Sequence, residues 1–339
     1  MAASPLLLPS LVFMSLLSTS DRTSNHKPAL ALFAAFGAAW VFLLVTLGAF
    51  TTSIGAGMAF PDWPLSNGSL NPKGWLDNLA MFAEHSHRLS AGIMSTVTII
   101  LAVWLWRTES RRWLRRLAIF AVALVLAQAL VGGLRVLFDH LQVEMVNTSL
   151  GRLFAMLHAC LAQLFACTLI AIAVSCTRGW IKGGPSVGDG VRRAGVICCN
   201  LLFLQLAIAA VMRHSFAGLA IPTFPFSTPE GGLLPAIWSF PVTIHFAHRV
   251  MAAVLAGALL WFAVRIYLDR HASLGLRLGA SALVTLLALQ IFLGAKIIWT
   301  YRSAEMTTGH VLISAFTLAA AFWLTWVAHR DEIEAKFTA

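Results

Sequence analysis

Charged side chains are scarce in this chain of 339 residues. Only 11% of its residues are Asp, Glu, Lys or Arg, whereas 59% are hydrophobic. A soluble domain carries about 25% charged residues, and it could not hide so much apolar surface from water. The shortage of charge therefore excludes an ordinary soluble enzyme and a disordered chain, and it favours a polytopic membrane protein built from α-helices.

Cysteine is also rare, which excludes a disulfide-rich scaffold. None of the five cysteines has the spacing of a metal site, and all fall in or beside two predicted helices: Cys160, Cys167, Cys176, Cys198 and Cys199. We expect small buried thiols, with a vicinal disulfide at the adjacent pair as the alternative.

Eight apolar stretches are long enough to cross a bilayer, which takes about 20 residues each. They cover residues 30–53, 84–106, 114–138, 149–175, 192–213, 243–266, 278–300 and 307–328. The linkers between them alternate in charge. The termini and the linkers 107–116, 178–193 and 265–277 hold 16 of the 24 Lys and Arg residues.

This alternation predicts the topology, because cytoplasmic loops are enriched in Lys and Arg. We expect both termini and these linkers on the cytoplasmic side. The net charge of +10 is thereby explained as a topology signal, and no nucleic-acid partner is expected. The two long loops, 54–83 and 214–242, should lie on the outer side.

The two halves of the chain repeat each other at an offset of 161 residues. The loop segment 57–66 (GMAFPDWPLS) matches 218–227 (GLAIPTFPFS), and 84–88 (EHSHR) matches 245–249 (HFAHR). The first helix of each half starts on the same side, so the repeat is a parallel one. The sequence thus predicts an all-α polytopic fold of eight transmembrane helices in two pseudo-symmetric four-helix bundles.

The repeat also predicts the domain boundaries. We expect an N-terminal cytoplasmic extension (1–28), a first bundle (29–176), a cytoplasmic linker (177–191), a second bundle (192–328) and a cytoplasmic tail (329–339).

Four of the eleven histidines, His87, His158, His248 and His310, lie inside predicted helices. An ionisable residue inside a membrane helix indicates a functional site, the alternative being a hydrogen bond that packs two helices. All four lie in the outer half of the bilayer, two per bundle. Two imidazoles facing each other across a bundle are the natural axial ligands of a haem iron. The histidines therefore predict two bis-histidine haem sites.

Charged residues accompany these histidines. Arg88 and Arg249 follow the first histidine of each pair and are candidates to bind haem propionates, although arginines at a membrane interface are the alternative. Glu84 stands where the second half has His245, three residues before His87. It is either a proton-exchanging group beside a substrate or a carboxylate that favours the first helical turn.

Taken together, Glu84-x-x-His87-Arg88, a histidine in helix four, His248-Arg249 and His310 resemble the haem A synthase family over about residues 30–328. The resemblance implies an oxidoreductase of the cell (inner) membrane that oxidises the C8 methyl of haem O to a formyl group by successive hydroxylations. It further implies that His87 and His158 hold the substrate haem, that His248 and His310 hold a haem b cofactor, and that Glu84 is catalytic.

The resemblance implies further partners: membrane lipid, haem O synthase and cytochrome oxidase assembly proteins, with a homo-oligomer left open. One feature departs from many bacterial members, because the first outer loop lacks their cysteine pair. Two other functions remain open, namely a non-enzymatic di-haem electron carrier similar to cytochrome b and a transporter with an internal repeat. For the transporter, the polar candidates within the helices are Gln128, Gln163, Gln205 and Gln290.

Overall fold

The structure is a computed structural model, and it describes residues 26–338. The predicted N-terminal extension (1–28) lies almost entirely outside the described residues. The described residues are helical, apart from loops and one two-stranded hairpin.

Within residues 26–338, eight helices are long and apolar enough to cross a membrane, as the sequence predicts. They are α1 (Pro28–Ser53), α2 (Leu79–Thr108), α3 (Arg112–Leu137), α4 (Leu150–Ser175), α6 (Asp189–His214), α7 (Phe240–Leu268), α8 (Leu274–Trp299) and α9 (Ala304–Ala328). Two shorter helices, α5 (Arg178–Lys182) and α10 (Arg330–Thr338), lie at the arginine-rich end. Strands β1 (Gln142–Val143) and β2 (Thr148–Ser149) pair antiparallel between α3 and α4.

Two helices begin at residues that favour a helix N-terminus. Pro28 begins α1, where its missing N–H costs no hydrogen bond. The side chain of Asn78 accepts hydrogen bonds from the N–H groups of Ala80 and Met81, and this cap begins α2 five residues before the predicted start.

The helices pack in two groups of four. Helices α1 to α4 contact one another in one group, and α6 to α9 do so in the other. Each group has its own apolar core, and the groups meet where α1 and α4 contact α9 and where α4 contacts α6. The domain boundaries derived from the repeat stay a prediction.

The chain direction alternates, so both long interhelical loops lie at one end of the molecule, which we call the loop end. The arginine-rich linkers lie at the other. All five cysteines are free thiols, and Cys167, Cys176 and Cys198 are buried, as expected of small core residues.

Candidate functional site: two histidine pairs under two loops

The four helix histidines lie at nearly one depth. His87, His158 and His248 each follow the first residue of their helix by eight positions, and His310 follows the start of α9 by six. At 1.5 Å per residue these are depths of roughly 9–12 Å from the loop end. The sequence suggested more scattered depths, because the predicted helix starts were wrong by up to five residues.

The first pair meets across the first group of helices. The ring centroids of His87 and His158 lie 6.5 Å apart, with the rings inclined by 75°. A metal held by two imidazole nitrogens at about 2 Å each would place the centroids roughly 6 Å apart. The spacing therefore leaves room for one metal atom between the rings, as an axial pair requires.

Neighbouring groups fix the His158 ring. Its Nδ1 lies 3.1 Å from the carbonyl oxygen of Gln128, and a carbonyl can only accept, so Nδ1 carries the hydrogen. Nε2 is then left with a free electron pair, which is the usual arrangement of a metal-binding histidine. The side chain of Gln128 also donates to the His158 carbonyl, at 2.9 Å.

Glycines make space for the rings. A Cβ at Gly48 would lie 2.8 Å from Cε1 of His87, and one at Gly132 would lie 2.9 Å from Cε1 of His158. Gly294 has the same relation to His310, with a distance of 3.2 Å. Gly132 and Gly294 match each other at an offset of 162 residues, but the sequence alone does not show what they face.

In the second group, glutamine amides face the histidines. Nε2 of Gln205 lies 3.0 Å from Nδ1 of His248, and Nε2 of Gln290 lies 3.1 Å from Nε2 of His310. Together with Gln128, three of the four glutamines considered as transport candidates are therefore partners of the histidines. At the repeat offset of 161 residues, Leu44 in the first half corresponds to Gln205 in the second. The two histidine pairs therefore have different surroundings.

Glu84 and Arg88 fasten the first loop to α2. Glu84 is only 4% exposed; its Oε2 accepts the N–H of Phe60 at 3.1 Å, and its Oε1 lies 2.5 Å from the Arg88 guanidinium. Arg88 also donates to the carbonyl oxygens of Phe60, Asp62 and Leu65. Glu84, whose functional role stays a prediction, thus has a structural role.

The second loop is fastened in the same way. Nδ1 of His245 accepts the N–H of Ile221 at 3.2 Å, and Arg249 donates to the carbonyl oxygens of Ile221, Thr223 and Phe226. Their counterparts in the first loop are Phe60, Asp62 and Leu65. The propionate contacts predicted for Arg88 and Arg249 stay a prediction, and both guanidiniums already bind loop carbonyls.

Asp62 orders the tip of the first loop. Its carboxylate accepts the N–H groups of Asn67 and Gly68, both at 2.7 Å. Burial works to raise the pKa of Asp62, but these hydrogen bonds and the nearby Arg88 outweigh it and hold the pKa below its ordinary value. The carboxylate is therefore ionised, and the turn closed, at neutral pH.

Together the fold and the site define a class: an eight-helix membrane protein with two half-buried helix histidines in each half. Comparison with known proteins gives the family. The sequence profile of the COX15-CtaA family, cytochrome oxidase assembly proteins, matches residues 31–322. The chain belongs to this family.

Curated relatives agree with this assignment. A "Heme A synthase" of Alkalihalophilus pseudofirmus is 26% identical over 293 residues, covering 86% of this chain and 94% of the relative. One of Lysinibacillus sphaericus is 24% identical over 320 residues, covering 92% and 99%. One of Listeria welshimeri is 25% identical over 277 residues, covering 80% and 85%. The resemblance to haem A synthase drawn from the sequence motifs is thereby confirmed.

Proposed function

We propose that this chain is a haem A synthase that oxidises the C8 methyl of haem O to a formyl group by successive hydroxylations. The observation that carries the proposal is the pair His87–His158, with rings 6.5 Å apart in a chain whose curated relatives are heme A synthases. Histidines from facing helices would hold the haem irons.

The two pairs have different tasks. His87 and His158 hold the substrate haem O, and His248 and His310 hold haem b, which supplies one-electron transfer at its iron when bound. The asymmetry around the pairs supports this division. Glu84, a carboxylate, stands three residues before His87 where the second half has His245, and an amide, Gln205, contacts His248 where the first half has Leu44.

Glu84 is the proposed proton acceptor. Conversion of a methyl to a formyl group, with water counted as the oxygen source, releases four electrons and four protons. Haem b would pass the electrons one at a time to an electron acceptor outside the chain, and the protons need a base. Arg88 and the N–H of Phe60 orient the carboxylate of Glu84 three residues from His87. A positioned carboxylate speeds proton transfer by about 10²–10⁴-fold.

The proposed location is the cell (inner) membrane, with both termini cytoplasmic and the histidine pairs near the outer surface. The arginine-rich linkers at the end opposite the two loops support this orientation. The partners proposed from the family are haem O synthase and cytochrome oxidase assembly proteins, and self-association of the chain belongs to the same proposal.

Haem extraction from the purified protein tests the function. The chain is produced beside a haem O synthase, and its haems are separated by chromatography. We expect haem A, or hydroxylated haem O, together with haem b. His87→Ala should abolish the conversion but keep haem b, whereas His310→Ala should lose the low-spin haem b spectrum.

Other outcomes would assign other functions. Two haem b per chain and no conversion would mean an electron carrier. A chain that folds and binds no haem would contradict both histidine sites and favour the transporter.

A further inference from the structure

Arg135 lies on the face of α3 that contacts the first histidine pair. Gln128, Gly132 and Arg135 are spaced at i, i+4 and i+7, so they share one side of the helix. Gln128 hydrogen-bonds His158, and Gly132 lies against the ring of that histidine. At 1.5 Å per residue, the backbone of Arg135 is about 4–5 Å nearer the loop end than that of Gly132.

The guanidinium of Arg135 lies beneath the first loop. It packs against the buried Gly57, where a Cβ would collide with it. An arginine at a membrane interface usually extends its charged end into water, whereas this one ends under a loop. The guanidinium of Arg135 therefore faces the interior of the protein.

Arg135 has no directly bound anionic partner among residues 26–338. Within the described part of the chain it forms no hydrogen bond and no ion pair. Glu84 and Asp139 interact with it only over a longer range. Glu84 is already paired with Arg88, and Asp139 accepts the O–H of Ser149 at 2.9 Å.

Two other arginines lie near Arg135. Arg135, Arg152 and Arg213 all lie within electrostatic range of His214. Arg152 packs on the ring of Phe216 at 5.0 Å, and Arg213 donates to α1. Partly buried positive charges without matching acids are costly unless an anion joins them.

The second half has no arginine at the position that matches Arg135. Gln290 and Gly294 match Gln128 and Gly132 at an offset of 162 residues, at which Arg135 corresponds to Ile297, the residue after Lys296. The donors of Arg88, the other arginine near the first pair, are taken by Glu84 and loop carbonyls. Arg135 therefore remains the available donor beside the first pair.

We infer that Arg135 binds a carboxylate of the ligand held between His87 and His158. The inference rests on the proposed function, since a haem carries propionate carboxylates at the edge of its ring. A guanidinium forms two parallel, charge-assisted hydrogen bonds with such a group. Arg135 would thus fix the rotation of the substrate ring about the axis through the two histidines.

Binding of haemin and of its dimethyl ester tests this contact. The ester keeps the ring and the iron but lacks both carboxylates. The full chain carrying His248→Ala is titrated with each compound, so that the low-spin spectrum reports the first pair alone. With Arg135 present we expect haemin to bind roughly tenfold more tightly than the ester.

The preference for haemin should fall to within about twofold in Arg135→Leu, and Arg135→Lys should keep part of it. Lys73→Leu removes an exposed cation from the first loop, the loop above Arg135, and should leave the preference for haemin unchanged. If Arg135→Leu does not yield folded protein, Arg135→Gln removes the charge and serves instead.

A tenfold preference that survives the loss of Arg135 would overturn the inference while leaving the histidine site intact. If neither compound gives a low-spin spectrum in a folded chain that retains Arg135, the proposed function fails at its first site. The two failures are therefore distinguishable.

Discussion

Glu84 and His245 occupy matched positions, and each fastens a loop to the helix that carries a site histidine. Glu84 accepts the N–H of Phe60, and His245 accepts the N–H of Ile221. The second half thus demonstrates that a histidine is sufficient for the fastening. In the proposed function, the carboxylate at this position adds proton exchange.

This comparison separates the structural role of Glu84 from the proposed chemical one. We expect Glu84→His to fold and to bind haem, because it copies the second half, and to convert haem O at least 100-fold more slowly. Glu84→Gln, which keeps an acceptor oxygen but cannot act as a base, should behave in the same way. The measurement is the ratio of haem A to haem O in extracts, beside the thermal unfolding midpoint of each variant.

Normal conversion by a stable Glu84→His variant would assign Glu84 to the loop alone. Loss of haem binding together with loss of stability would show that the two halves are less interchangeable here than their contacts indicate.

The four histidines could be predicted from the sequence, because ionisable residues stand out in apolar helices and recur with the repeat. The contacts of Arg88 and Arg249 could not, since their acceptors are backbone carbonyls, which every residue carries. Arg135 is one of several arginines that the sequence places near helix ends. Its position under Gly57 depends on how the first loop folds back, which the local sequence does not specify.

At the scale of helices, the close approach of neighbouring helices at glycine residues decides where the histidine rings lie. Helices α3 and α4 meet where Gly132 faces His158, and α8 and α9 meet where Gly294 faces His310. The number and approximate positions of the helices followed from hydropathy alone. Their packing did not, because a glycine in an apolar run has the same hydropathy whether it faces lipid or an imidazole.

Gly132→Ala tests this approach. A Cβ there would lie 2.9 Å from Cε1 of His158, so we expect the ring to be displaced, at a cost of about 1–3 kcal/mol, and the first site to lose haem. Gly92→Ala in α2 is the matched control, because nothing lies within 4 Å of a Cβ at that position. Haem per chain, measured by absorbance after reconstitution, should fall in the first variant only.

Equal haem content in the two glycine variants would mean that α3 and α4 separate readily. The close packing would then have no bearing on the ligand geometry.

In the whole molecule, the two halves are joined at both ends. At the loop end, Arg213 of α6 donates to the carbonyl oxygen of Ala49 and to the hydroxyl of Ser53 in α1. At the other end, Glu334 of α10 lies 3.2 Å from the guanidinium of Arg111 and accepts the indole N–H of Trp180 at 2.6 Å. The tail of the second half is therefore attached to the first.

The separation between the histidine pairs depends on this joint, because each pair lies in a different half. Electron transfer between the proposed haems would need that separation to be fixed. The attachment through Glu334 is partly buried, with a side-chain exposure of 20%, so its loss should matter more than that of a surface pair.

We expect Glu334→Ala to destabilise the contact between the halves by about 1–3 kcal/mol. Thermal unfolding in detergent should then begin at a lower temperature and separate into two transitions. Glu332→Ala is the matched control, since Glu332 pairs with Arg192 inside the second half and its side chain is 54% exposed. Circular dichroism, with haem absorbance as a second probe, measures both variants. A single unchanged transition in Glu334→Ala would mean that packing between α1, α4 and α9 alone holds the two pairs at their distance.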